Sequence, residues 1–301
     1  MSLPQLLVTG GGGQIGGAVA RLASEFGFDA VAPCRADLDL TDAGALRRMV
    51  DSAPWAAVVN CAAFTAVDLA ETEQDLAEAV NARAPAVLAK ATANRAIPLV
   101  QLSTDYVFDG TKGSPNLETD PVQPLGVYGQ TKARGEQAVR EGNARHVILR
   151  TAWVLSAGDR NFLATMLRLA AERDLVRVVD DQRGNPTSAE DVARAILTIL
   201  GRPAIPSGTW HCVNAGEATW YDLAEHIFGN LERRGLRRPI LESIPTSEYP
   251  TPAPRPVDSR LATERLASKL GIVMRPWQDM VDELLDKAIS PPGVVNPASA
   301  G

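Results

Sequence analysis

The chain has 301 residues, 45% of them hydrophobic and 22% charged, with a formal net charge of −6. This is the balance of a globular protein and excludes whole-chain disorder. An acidic balance also argues against broad nucleic-acid binding, which needs clustered Lys and Arg.

The opening Met1–Gln5 has no basic region, and the apolar run after it is too short for a signal or a membrane span. Cys34, Cys61 and Cys212 have no metal-like spacing, and their odd number suits reduced thiols. A cytoplasmic protein without membrane or nucleic-acid partners is expected. Gln5–Val8 reads as a short strand, followed by a glycine cluster. Ile15, Val19, Leu22 and Phe26 then recur at helical spacing. Ala30–Ala32 is a second strand, and Thr41 and Asp42 can cap a helix over Ala43–Ser52. Val58–Asn60 is a third strand. A long Ala-rich helix over Asp75–Asn94 leads to a fourth at Pro98–Ser103. Tyr128–Glu141 is helical and His146–Thr151 is a strand. Such alternation predicts an α/β fold, a Rossmann-like doubly wound parallel sheet.

The second half is less regular. Asn161–Glu172 and Glu190–Leu200 read as helices, Arg177–Asp180 as a strand, and prolines break the chain from Pro239 to Pro256. This predicts a smaller α/β substrate-binding domain at 151–287. The sheet domain is expected at 1–150, with segments near 175–200 able to return to it. Residues 288–301, rich in Pro, Gly, Ala and Ser, read as a disordered tail.

Gly10, Gly13 and Gly16 form a G-x-x-G-x-x-G loop between the first strand and the first helix. The first glycine permits a tight turn, the second a close approach to a pyrophosphate, the third close helix–strand packing. The sheet domain therefore reads as dinucleotide-binding. An acid ending the second strand would bond the ribose hydroxyl of NAD. Here the strand ends Ala32-Pro-Cys-Arg35. Arg35 can pair with the 2′-phosphate of NADP or be a solvated surface charge, and Asp39 is better placed for the adenine end. NADPH is the expected cofactor, with NADH the alternative.

Tyr128 and Lys132 stand four apart, on one helical face. A phenol has a pKa near 10 and is a poor acid at neutral pH. A nearby ammonium is expected to lower it, so that the phenol can protonate a carbonyl oxygen. The Lys can also hold a nicotinamide ribose. Thr104 closes the fourth strand, where such sheets bind ligands, and offers a hydroxyl to the same carbonyl.

With these motifs in place, the chain resembles the extended short-chain dehydrogenases/reductases, and within them the dTDP-4-dehydrorhamnose reductase family. The resemblance runs to about Lys287. It rests on Asn60–Asp68, Ser103–Gly110, Val127–Lys132, Arg150–Val154, Asn161-Phe162, Asp180–Thr187 and Tyr249–Pro256. It implies that Gly13, Gln14 and Ile15, with Asp39 and Leu40 near the adenine, contact the cofactor. Ala62, Ala63, Phe64 and Thr65 would line its central part. Tyr128, Lys132 and Thr104 would serve catalysis. Thr104 and Asp105 would meet the sugar and Trp153 would pack on it. Arg255 would pair with nucleotide phosphates or brace a loop. Some relatives bind Mg²⁺ through carboxylates at a dimer interface. Two of those positions here are Ala18 and Lys287, leaving Glu190 alone. No Mg²⁺ or other metal is expected, and a monomer or weak homodimer is.

The function so implied is NADPH-dependent reduction of the C4 ketone of a nucleotide-linked 6-deoxyhexose, dTDP-4-dehydro-L-rhamnose first. Related dTDP-4-keto-sugar reductases, such as dihydrostreptose synthase, remain open. So does a non-catalytic NADP-binding subunit of the methionine adenosyltransferase type. A dehydratase or epimerase is disfavoured, because Tyr106 follows Thr104-Asp105 where dehydratases carry a second carboxylate.

Overall fold

The computed structural model describes residues 2–158 and 160–289. Its first half runs β1 (Gln5–Thr9), α1 (Gln14–Leu22), β2 (Asp29–Val31), α2 (Ala43–Asp51), β3 (Ala57–Asn60), α3 (Val67–Ala70) and α4 (Gln74–Glu78). Then follow α5 (Ala84–Asn94), β4 (Leu99–Thr104), α6 (Val127–Gly142) and β5 (His146–Thr151). The second half opens with β6 (Val154–Leu155), α7 (Phe162–Glu172), β7 (Leu175–Val179), β8 (Arg183–Gly184), β9 (Thr187–Ser188) and α8 (Ala189–Leu200). It ends with β10 (Gly208–His211), β11 (Ala218–Thr219), α9 (Trp220–Arg233), β12 (Ile240–Ile244), α10 (Glu264–Leu270) and α11 (Trp277–Ile289).

Six parallel strands form the central sheet in the order β10-β5-β4-β3-β1-β2. Successive strand residues face opposite sides. Leu6, Val8, Val147 and Leu149 pack with α1 and α8, while Leu7, Leu99 and Ile148 pack with α2 and α5. Both faces are thus apolar and covered, as an all-parallel sheet requires. The strand order reverses between β1 and β3. The loops leaving their carboxyl ends diverge there and open a crevice.

The stretch read as one helix over Asp75–Asn94 is instead α4 and α5 joined by a π-helical turn at Ala79–Arg83. Pro85 has no N–H, and its ring would strike the carbonyl four residues earlier in a regular α-helix. The wider turn accommodates it.

The chain crosses back to the sheet after residue 150. Helix α8 lies along α1, β10 adds a sixth strand beside β5, and Leu266, Leu270 and Met274 close the same cluster. Within 175–200, β7 does not return; it pairs in parallel with β12. A second cluster, with Leu163, Met166, Leu223, Phe228, Trp277 and Leu284, holds α7, α9 and α11 together. Residues 288 and 289, assigned to the tail, are the last of α11. The rest of that tail, 290–301, lies outside the described residues. Among the described residues no helix is long and apolar enough to cross a membrane.

Helix α8 lies in the first cluster, and its N-cap is the buried Ser188, whose hydroxyl accepts from Glu190 N (3.1 Å) and Asp191 N (3.3 Å). Ser188→Ala is expected to cost about 1 kcal/mol. Chemical denaturation would show this as a lower midpoint at unchanged slope; an unmoved midpoint would contradict it.

Candidate active site

The crevice begins at the glycine loop. Gly10 adopts φ +73°, and its carbonyl accepts from Gly13 N at 2.9 Å. A Cβ on Gly16 would lie 2.2 Å from that carbonyl oxygen, so only glycine lets α1 start so close to β1. Gly13 caps α1 without a side chain, leaving the amides of Gln14 and Ile15 at a helix N-terminus suited to an anion. The Gln14 side chain is committed elsewhere. Its Oε1 accepts from Ser156 Oγ (2.6 Å) and Asn161 Nδ2 (3.0 Å), and its Nε2 donates to the Val154 carbonyl (3.4 Å).

The loop after β3 crosses beside Gly10: a Cβ there would sit 2.6 Å from Ala62 N. Ala62, Ala63 and Phe64 are half-buried and Thr65 is exposed. Asn81, in the π turn, clamps this loop. Its Oδ1 accepts from Phe64 N (2.8 Å) and its Nδ2 donates to Phe64 O (3.1 Å). Arg35 and Asp39 are exposed on the outer rim, and Leu40 packs half-buried toward α2. The backbone and hydroxyl of Thr41 hydrogen-bond Asp39 and hold its carboxyl below the ordinary range, with the Arg35 charge adding to this.

Thr104 ends β4, and its hydroxyl oxygen accepts from Tyr106 N (3.2 Å), capping the tight turn Asp105–Val107. The same hydroxyl donates to Asp105 Oδ1 (2.9 Å). Helix α6 meets this turn so closely that a Cβ on Gly129 would lie 2.2 Å from Tyr106 O. That approach brings the buried Tyr128 within hydrogen-bonding reach of Thr104 and edge-on to Tyr106, ring centroids 5.6 Å apart. One turn on, the buried Lys132 donates from Nζ to Leu102 O at 2.6 Å.

Asp105 is buried, and its Oδ2 has no hydrogen-bond partner. Burial pushes its pKa up to about 6, against the nearby hydroxyls of Ser259 and Thr104. Trp153 stands just before β6, half-buried. Arg255 braces a loop: it donates to Asp68 Oδ2 (2.9 Å) and to Tyr106 Oη (3.1 Å).

Residues 4–290 match the family model described as the RmlD substrate binding domain. The dTDP-4-dehydrorhamnose reductase of Burkholderia thailandensis is 41% identical over 91% of this chain and 95% of its own. A Clostridium acetobutylicum dTDP-4-dehydrorhamnose reductase structure superposes with a TM-score of 0.89 at 36% identity, covering 94% of this chain and 99% of that one. The Bacillus anthracis enzyme, solved in complex with NADP, gives 0.89 at 30% identity, covering 95% and 100%. The chain belongs to the dTDP-4-dehydrorhamnose reductase family. It is an NAD(P)H-dependent oxidoreductase.

In this reductase the Tyr128 pKa is not lowered, as the Tyr–Lys spacing had led one to expect. Burial raises it, the Thr104 hydrogen bond opposes the rise, and the charges of Asp105 and Tyr106 add to it. The phenol therefore rests protonated. Lys132 moves the other way: burial drops it to about 8, and the Glu136 carboxylate resists the fall. Glu136 is itself 1% exposed. Burial alone would raise its pKa, but Arg150 (Nε 2.8 Å, Nη2 2.7 Å) and Arg140 (2.6 Å) hold it below the usual range.

Reasoning from sequence missed Glu136, Arg150 and Asn81. A third residue at the four-residue interval, Tyr128–Lys132–Glu136, was the available sign for the first. Nothing in an alanine-rich helix marks Asn81. If the Lys132 ammonium is required, kcat/KM falls as pH rises through about 8, because Lys132 is charged only below it. Glu136→Gln removes the charge that supports the ammonium, so this basic limb shifts to lower pH. A limb that stays in place would remove Glu136 from this role.

Proposed function

We propose that this reductase uses NADPH to reduce the C4 ketone of a nucleotide-linked 6-deoxyhexose, with dTDP-4-dehydro-L-rhamnose as first candidate and dTDP-L-rhamnose as product. The observation that carries this is the protonated, buried phenol of Tyr128 beside the Thr104 hydroxyl at the carboxyl edge of a parallel sheet. A ketone gaining negative charge on oxygen needs such a donor in a water-poor site.

The glycine loop and the α1 amides would hold the pyrophosphate, Ala62–Thr65 the central part of the cofactor, and Asp39 and Leu40 the adenine end. Arg35 would meet the 2′-phosphate. Lys132 would hold the nicotinamide ribose. The reduced nicotinamide, when bound, supplies the hydride. Tyr128 then gives its proton to the C4 oxygen while Thr104 hydrogen-bonds the same atom, and the Lys132 charge favours the phenolate left behind. The unpartnered Asp105 Oδ2 suits a sugar hydroxyl. For Arg255 to reach a nucleotide phosphate it would exchange Asp68 and Tyr106 for it. Remote binding of the nucleotide would spend its energy on orienting the keto-sugar.

Glu190 is already shared between Arg21 and Lys287, both at 2.6 Å, which supports the reading without Mg²⁺ and as a monomer or weak dimer. The intact Thr104–Tyr128–Lys132 set favours catalysis over a binding subunit. Among sugars, dihydrostreptose-type substrates compete with rhamnose, and a panel of 4-keto-sugar nucleotides separates them.

Loss of NADPH absorbance on adding dTDP-4-dehydro-L-rhamnose is the direct test. Tyr128→Phe should lower kcat by about 100-fold or more. No turnover across the panel, or a normal rate in Tyr128→Phe, would overturn the proposal. Arg35→Ala should raise the KM for NADPH and leave that for NADH unchanged; equal effects on both would remove the 2′-phosphate role.

A further inference from the structure

Trp153 is one of two non-glycine residues with positive φ among those described, at +45°. Bulky side chains rarely adopt this conformation, and it persists only where the surroundings enforce it. Three contacts do so here. The Trp153 carbonyl accepts from Thr187 N at 3.1 Å, where β6 pairs with β9. The indole lies flat on Trp220, centroids 3.5 Å apart and planes within 4°. Its edge fills the space above Gly184, where a Cβ would come 2.4 Å from Cε2 and 2.5 Å from Nε1.

Trp220 is itself fixed. It is the first residue of α9, inside the Thr219–Asp222 capping box. Strand β11 pairs with β8 and sets Ala218 opposite Gly184. Trp220 Nε1 donates to Gln182 Oε1 (3.3 Å), and Phe162 tilts against its ring at 4.8 Å. The Trp153 ring also packs against the Val107–Phe108 cluster beneath the Asp105 turn as well as the α7–α9 cluster. It therefore links the catalytic edge of the sheet to the second half of the chain.

We infer that Trp220 and Gly184 are positioning residues: they hold Trp153 in its left-handed conformation, with its ring set against the sugar of the nucleotide substrate. The inference rests on the proposal that Trp153 packs on that sugar. Loss of the Trp220 platform frees Trp153 to relax to ordinary φ and withdraws its ring from the site.

Steady-state kinetics with NADPH and dTDP-4-dehydro-L-rhamnose test this. Trp220→Leu should raise the sugar-nucleotide KM about tenfold, the size of a lost apolar contact, and leave the NADPH KM unchanged. The circular-dichroism couplet of the stacked indoles should vanish. Trp220→Phe keeps an aromatic platform and should restore the KM but not the couplet. Gly184→Ala should reproduce the KM effect by steric displacement, which covers a Trp220→Leu protein that fails to fold. Trp153→Leu separates the two levels. A raised KM in Trp153→Leu with normal values in Trp220→Leu and Gly184→Ala overturns the inference and leaves the sugar contact standing. Normal values in all three overturn both.

Discussion

A buried ammonium costs free energy unless an opposite charge answers it, and a lysine left alone there gives up its proton. Lys132 is such a group, and much of the catalytic half is arranged around that constraint. Its counter-charge, Glu136, lies one helical turn further along α6, itself buried, so it needs a partner in turn. Arg150, near the carboxyl end of β5, supplies a two-point guanidinium–carboxylate pair of the kind that is strong when dry. The remaining side of Arg150 faces His211 on β10. Burial, with the Arg150 charge, drops that imidazole to about 3, so it is neutral. Its Nε2 can accept from Arg150 (3.4 Å) while Nδ1 donates to Ala262 O (3.2 Å). The network crosses α6, β5 and β10. The sixth strand thus completes the electrostatics of the site as well as extending the sheet.

The two halves are tied at the places where ligands would enter. Gln14, at the start of α1, spends its side chain on Val154, Ser156 and Asn161. Trp153 packs into the apolar clusters on both sides. The proline-rich segment is held by Asp68, which accepts from Ala253 N and pairs with Arg255. A displacement of the second half would disturb the glycine loop, Trp153 and the Arg255 brace together. This suits a site in which closure over substrate and orientation of cofactor act as one step.

Much of the catalytic half was legible in the sequence because its signals are local. Strand alternation, the Gly10–Gly16 spacing and the Tyr128–Lys132 interval each depend on residues a few positions apart. The Ser103–Gly110 run also announced itself, since strand, cap and turn are consecutive. What escaped depends on residues distant in sequence. Arg150 meets Glu136 only because β5 follows α6 in the right register, and β10 reaches the sheet nearly 60 residues after β5. The π turn was hidden by alanine-rich composition, although Pro85 marked the place. Gly184 and Trp220 lie far from Trp153 in sequence, and only their meeting with it in the fold gives them meaning. The direction of the Tyr128 shift was misjudged for a related reason. Spacing predicts proximity of charge but not the depth of burial, and here burial is the larger effect.

That reversal bears on how the proposed site would favour reduction. A phenol whose pKa had fallen toward neutrality would spend part of its time ionised and unable to donate. In the proposed reaction, burial would keep the proton on Tyr128 until charge develops on the substrate oxygen, and the hydroxyl of Thr104 would share that charge. In that proposal the cost of forming a buried phenolate would be met late in the reaction, with the cationic Lys132 as its counter-charge. The same burial that raises Tyr128 lowers Lys132, so the two pKa values are driven apart and both groups hold their protons at rest below about pH 8. Environments that set an acid and its supporting cation in this relation are how one fold performs proton transfer near neutral pH. In this chain they come from burial at the end of β4, supported by the Glu136–Arg150 pair.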